Sequence, residues 1–113
     1  GPARGQAGEG EAGDWRRPGR VDAAIQFGSV QLPLAVRNRR PGDRFRPLGA
    51  PGRRKLQDVF VDRKVPRSQR DRVPVVVDAT DRIVWVAGVA VAHDCRVTAP
   101  AEGVLILKQR TAE

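Results

Sequence analysis

The sequence predicts an α+β fold: a compact, mostly antiparallel, sandwich-like β domain with two short helices inserted mid-chain. Three observations carry this expectation. Short apolar segments, separated by Gly, Pro and Asp turn signals, recur from Val21 onward, as strands in antiparallel connection do. Helical spacing of apolar residues occurs at Leu56, Val59 and Phe60, and a polar segment headed by Pro66 follows. Apolar residues make up 40% of the 113 and aromatics 4%, so a core exists and must rest on Val, Leu, Ile and Ala.

Residues 1–20 are rich in Gly, Ala, Glu and Arg with little apolar pattern and read as a flexible leader or linker. Gly1-Pro2 also fits a scar from a cleaved tag. Residues 21–113 are then the domain. "VDAAIQF" and "SVQLPLAV", split by Gly28-Ser29, predict a hairpin. In the second run Val30, Leu32, Leu34 and Val36 alternate with Gln31, Pro33 and Ala35, which predicts one buried face, and Pro33 marks an edge strand or a bulge. "RPGD" at Arg40–Asp43 is a turn, because Pro presets φ and Gly accepts a positive one. "PLGAPG" from Pro47 is a second loop.

From Arg53 the pattern becomes helical, and Leu56, Val59 and Phe60 share one face. Pro66 ends this helix with Val65 extended before it, and "PRSQRDR" predicts one short helical turn with Pro66 in its first position. "VPVVVD" is continuously apolar, as in a strand covered on both sides. "ATDR" turns the chain, "IVWVAGVAV" continues it with a bend at Gly88, and "CRVT" and "GVLILK" complete the strands.

Charge is the most informative feature. The net charge of +8 is not dispersed: Arg37–Arg72 holds 13 basic residues against Asp43, Asp58, Asp62 and Asp71, and the flanking segments are close to neutral. A localised block of this kind points to a polyanion such as nucleic acid; the plainer alternative is a solvated face that keeps a small domain soluble.

Little in the chain suggests catalysis. His93 is the sole histidine, and in "AHDC" neighbouring strand residues would face opposite ways, so His93, Asp94 and Cys95 cannot converge on a metal or a nucleophile. Cys95 reads as a small core residue, and a single cysteine without an internal disulfide suits a reducing cytoplasm. "GAPGRRK" lacks the G-x-x-x-x-G-K-[ST] order of a phosphate-binding loop. No signal peptide or apolar span is seen, so a soluble, cytoplasmic protein with no metal and no membrane partner is expected.

The basic residues form the candidate site. Gly42, Gly49 and Gly52 let backbone amides approach a ligand, and Arg53, Arg54 and Lys55 fall at the predicted start of a helix, where cations oppose the macrodipole unless an anion sits between them. Arg39, Arg40, Arg44 and Arg46 flank the first turn as bidentate phosphate clamps, and Arg63, Lys64, Arg67, Arg70 and Arg72 prolong the surface. Asp43 is assigned to capping its own turn, and Trp85, between Val84 and Val86, to the core. Trp15 lies in the leader. Few aromatics in the block argue against base stacking on single strands and for a duplex RNA read by shape.

The linked motifs Asn38-Arg39-Arg40-Pro41-Gly42-Asp43, Lys55-Leu56-Gln57-Asp58-Val59-Phe60, Lys64-Val65-Pro66 and Arg70-Asp71-Arg72-Val73-Pro74, followed by "IVWVAG", closely resemble the C-terminal domain of bacterial tRNA(Ile)-lysidine synthetases. The resemblance covers roughly residues 30–108. It implies a β-sandwich of unusual topology akin to a domain of phenylalanyl-tRNA synthetase. It also implies a parent enzyme that uses ATP to adenylate the wobble cytidine of a minor isoleucine tRNA with a CAU anticodon, then attaches lysine. The catalytic, ATP-binding domain of that family carries an S-G-G-x-D-S loop, which this sequence lacks. The resemblance therefore implies a non-catalytic domain with no cofactor of its own, gripping the tRNA toward its acceptor stem. Its other partner would be the catalytic domain of the same polypeptide, in a parent enzyme that can be a homodimer. Arg37, Asn38, Arg39, Arg40, Arg44, Arg46, Arg53, Arg54 and Lys55 are expected at phosphate and ribose, with the 63–72 cations behind them. Two alternatives stay open: a domain that docks on and orders its own catalytic domain, and a free-standing duplex-RNA protein.

Overall fold

The computed structural model describes residues 22–109, so the leader, Trp15 and the domain's outer limits lie outside what is described. Among the described residues eight short strands and one α-helix follow in order: β1 (Asp22–Gln26), β2 (Ala35–Arg37), β3 (Arg44–Phe45), β4 (Arg54–Lys55), α1 (Leu56–Asp62), β5 (Val75–Val77), β6 (Ile83–Val86), β7 (Ala90–Val91) and β8 (Val104–Lys108). Every pairing is antiparallel: β2-β5-β6-β7 make a four-stranded sheet, β1 pairs with β8, and β3 with β4. This is the mostly antiparallel α+β fold expected. The second helical turn is a 3-10 helix at Arg67–Arg72 with Pro66 as its cap.

Apolar pattern and burial agree where the pattern is local. All three residues of β5 are buried, as are all four of β6 including Trp85, because these strands are central and covered on both faces. Leu56, Val59 and Phe60 bury the inner face of α1. Phe60 is wholly inaccessible, which stabilises the fold by roughly 2–3 kcal/mol.

Four readings are corrected. Gly28-Ser29 does not turn a hairpin: Phe27–Ser29 is a 3-10 turn, and β1 pairs with the C-terminal strand, Asp22 opposite Lys108. The better partner for the "VDAAIQF" face is the apolar "VLIL", far away in sequence. The alternating face of "SVQLPLAV" is not buried as a unit. Val30 is buried and Leu34 partly so, but Leu32 and Val36 stand 51% and 67% exposed, since only Ala35–Arg37 joins the sheet and does so at its edge. "CRVT" is not a strand; His93–Cys95 form a 3-10 turn that ends the sheet. The helix starts at Leu56 rather than Arg53, because Arg54 and Lys55 are drawn into the ladder with Arg44 and Phe45.

Two buried polar side chains secure the loops. Gln26 Oε1 accepts from the amides of Thr98 (2.9 Å) and Ala99 (2.8 Å), while its Nε2 donates to the Ala99 (2.8 Å) and Gly103 (3.1 Å) carbonyls. A side chain this fully satisfied is not penalised for leaving water. Asp78 does the same for the 78–82 turn, which brings Asp81 to the basic block.

Candidate nucleic-acid interface

The site is built around the Pro41-Gly42 turn. Gly42 takes φ +87°, a conformation glycine adopts at no steric cost, and this returns the chain so that the Asp43 amide donates to the Arg40 carbonyl at 3.2 Å. The Asp43 carboxylate accepts from the Arg40 amide (2.8 Å) and from both terminal nitrogens of Arg37 (3.0 and 3.1 Å). Burial works against ionising Asp43, yet these donors hold its carboxyl below the ordinary range, and Asp43 in turn raises Arg37. The turn-capping role expected of Asp43 is present.

Neighbouring elements then divide the arginines into two groups. Some are spent on the fold. Arg37, with a side chain only 12% exposed, also donates from Nε to Asp81 at 3.1 Å. Asn38 Nδ2 donates to the Asp71 carbonyl (2.8 Å), tying the loop to the 67–72 turn. Arg39 pairs with Asp71 (2.8 Å) and lies 6.0 Å over the Phe60 ring, while Arg40 pairs with Asp81 (3.2 Å). Arg54 pairs with Asp62 at the far end of α1. Arg46, Arg63 and Arg70 donate to the backbone carbonyls of Ala50, Val89 and Val65.

The others stay available. Arg44, Arg53, Lys55, Lys64, Arg67 and Arg72 are exposed and make no side-chain hydrogen bond or ion pair with the described residues. Arg44 and Lys55 face each other across the β3-β4 ladder. The Leu56 amide donates to the Asp43 carbonyl (2.9 Å), and the alternation of the ladder then puts Arg44 and Lys55 in the non-hydrogen-bonded position, where side chains stand closest. Like charges directly opposite each other are unfavourable unless something neutralises them.

The idea that Arg53, Arg54 and Lys55 crowd a helix N-terminus is corrected. Lys55 is only the cap of a seven-residue helix, and Arg54 points to an aspartate at the helix's other end. Exposed cationic side chains are what this surface offers. A cleft of about 460 Å³ opens beside the turn, lined by Arg39, Arg40, Pro41, Gly42, Asp43, Lys55, Leu56, Gln57 and Asp71. Gln57 and Asp71 line this cleft and Asp81 ties down Arg37 and Arg40, and the sequence alone singled out none of the three as candidates: the first two lie inside the Lys55–Phe60 and Arg70–Pro74 motifs, while Asp81 carried no local signal.

The remaining polar candidates belong to the fold. His93 Nδ1 accepts from the Gly49 amide (3.1 Å) and so pins the second loop to the sheet. Cys95 is fully buried, and burial pushes its thiol up, away from the reactive thiolate. Among the described residues no group of three or more His, Cys, Asp or Glu is placed to hold a metal. No helix among them is long and apolar enough to cross a membrane.

Fold and surface together define a small antiparallel α+β module whose exposed chemistry is cationic. Comparison with known proteins narrows this. Residues 34–107 match the family described as the TilS substrate C-terminal domain, and the chain belongs to that family. It is 63% identical over 57 residues to a tRNA(Ile)-lysidine synthase of Symbiobacterium thermophilum, covering 50% of this chain and 12% of that protein. To the tRNA(Ile)-lysidine synthase of Shouchella clausii it is 40% identical over 83 residues, 74% of this chain and 18% of that one. The chain thus spans under a fifth of the length of these curated relatives. A solved TilS C-terminal domain superposes with a TM-score of 0.65 at 32% identity, covering 85% of this chain and 77% of the other. An N-terminal fragment of the phenylalanyl-tRNA synthetase β-subunit from Pyrococcus horikoshii shares the fold, with a TM-score of 0.62 at 11% identity over 82% of this chain and 28% of that one.

Proposed function

We propose that this domain is the non-catalytic, tRNA-binding part of an ATP-dependent ligase that converts the wobble cytidine of isoleucine tRNA to lysidine. It acts in the cytoplasm beside a catalytic domain of the same polypeptide, which binds the ATP, and it holds the body or acceptor stem of the tRNA. The relatives' name supports the reaction. The observation that carries the binding role is the Arg44–Lys55 pair. Two cations opposed at the closest position of a ladder, without a counter-ion among the described residues, are stabilised when a phosphate bridges them. Arg53, Lys64, Arg67 and Arg72 extend that surface, while Arg37, Asn38, Arg39, Arg40, Arg46, Arg54, Arg63 and Arg70 shape it and reach RNA only where their second donors allow.

Affinity for isoleucine tRNA measured against salt tests this. If the available cations each meet a phosphate, about six contacts give a log–log slope of about −5. Replacing Arg44 and Lys55 together by Glu flattens the slope by about 2 and weakens binding across all sequences alike. A wild-type slope near zero overturns the reading.

A second reading has one observation behind it: Leu32 and Val36 expose apolar surface on the edge strand and its approach, which suits docking on the catalytic domain. Arg53→Glu with Lys55→Glu separates the two, weakening RNA binding and flattening its salt slope by about 2 under the first and leaving domain docking intact under the second.

A further inference from the structure

We propose that the cleft beside the Pro41-Gly42 turn reads ribose: the Asp71 carboxylate accepts a hydrogen bond from a 2′-hydroxyl while Lys55 holds the adjoining phosphate. This rests on the RNA-binding reading above and names the chemistry that the same surface selects.

The cleft's composition is wrong for phosphate alone. Its cations are Arg39, Arg40 and Lys55, but Asp71 stands in the same wall. Asp71 is 79% exposed at its side chain and engages Arg39 Nε through Oδ1 only; Oδ2 takes no hydrogen bond from the described residues. A carboxylate so placed repels a phosphodiester and has nothing to accept from a deoxyribose. The 2′-hydroxyl of RNA supplies the missing donor, and it is the group by which a protein separates RNA from DNA. Carboxylates serve ribose hydroxyls in the same way in dinucleotide sites.

Asp71 is also held in place. Its carbonyl takes the Asn38 amide at 2.8 Å, and Arg39, which anchors its carboxylate, lies over the Phe60 ring. That arrangement restrains the Asp71 backbone and one carboxylate oxygen before any ligand arrives, which lowers the ordering cost of binding. Leu56 and Pro41 give the cleft an apolar floor for the sugar face, and Lys55 has no partner among the described residues, so its charge is left for phosphate.

The test uses this 113-residue chain and two probes: transcribed isoleucine tRNA, and the same transcript built from 2′-fluoro nucleotides. Fluorine preserves the A-form sugar pucker but cannot donate. Loss of a hydrogen bond to a charged acceptor weakens wild-type binding of the fluoro transcript at least about tenfold. Asp71→Ala brings the two affinities to within about twofold of each other, whatever the lost charge does to both, because that effect cancels in the ratio. Lys55→Gln lowers the salt slope by about 1 and leaves the ratio unchanged. A wild-type ratio near one, or a ratio that Asp71→Ala does not move, overturns ribose reading while salt-dependent tRNA binding persists. Absence of salt-dependent binding to either probe instead sinks the RNA-binding reading beneath it. The wild-type ratio needs no variant, so a poorly folding Asp71→Ala leaves the test standing.

Discussion

Replacing Asp78 by Asn tests how the fold delivers its basic surface. Asp78 has no exposed side-chain surface. Its Oδ1 accepts from the Thr80 hydroxyl (2.7 Å), the Thr80 amide (3.0 Å) and the Arg82 amide (3.1 Å), and its Oδ2 from the Gln31 amide (3.2 Å). Burial opposes ionisation, but these donors outweigh it and bring the carboxyl from 3.8 down to about 2. At about 1.4 kcal/mol per pKa unit the ionised form stabilises the fold by about 2 kcal/mol, and by about 1–2 kcal/mol once nearby solvent screens it. Asn keeps one acceptor oxygen but turns its NH2 toward an amide that also donates, adding about 1–3 kcal/mol. Asp78→Asn should therefore lose about 2–5 kcal/mol at pH 7 by denaturant unfolding followed through Trp85 fluorescence. Because the folded-state pKa is depressed, the ionic part is fully present above about pH 4 and lost as the pH falls toward 2. The gap between wild type and variant should narrow by about 1–2 kcal/mol between pH 5 and pH 2, leaving the donor clash behind. A gap under about 0.5 kcal/mol at pH 7, the range of ordinary surface substitutions, or one unchanged at low pH refutes the reasoning. The turn matters beyond stability. Asp81, at φ +68°, donates its amide to the Asp78 carbonyl at 2.9 Å and presents its carboxylate to Arg37 and Arg40.

Two further outcomes follow from local geometry. Gly103 sits at φ +112°, and a Cβ there would meet the Phe27 Cβ at 3.2 Å, so Gly103→Ala should cost about 1–3 kcal/mol in a thermal melt; Gly28→Ala, whose Cβ meets open space, should stay within about 0.5 kcal/mol and serves as the control. Equal melting points for the two variants would contradict this. His93 should titrate below 6.5 by NMR, lowered first by desolvation and then by the Arg46 and Arg96 charges against the opposing pull of Asp94. Its Nδ1 must be unprotonated to accept from Gly49, so the stability it lends is present at neutral pH and lost as the pH falls through its midpoint. A midpoint at or above 6.5 would show that this hydrogen bond does not hold the loop.

The amino-acid sequence by itself determined what depends on neighbours along the chain. Side-chain spacing placed Leu56, Val59 and Phe60 on one buried face, the continuous apolar run made Val75–Val77 a covered strand, and Pro41-Gly42-Asp43 specified its own turn and cap. The concentration of charge between Arg37 and Arg72 was equally legible, since a count needs no geometry. Only the tertiary structure decided which strand β1 would choose, because Asp22–Gln26 fits more than one apolar partner and the winner is set by competition across the whole chain. It also decided which cations remain for a ligand. Asp71 and Asp81 lie 32 to 44 residues from the arginines they engage, so no local pattern could tell Arg37, Arg39 and Arg40, tied to those carboxylates, from Arg44 and Lys55, left facing each other. Burial and charge pairing are properties of distances in space, and folding alone sets those distances.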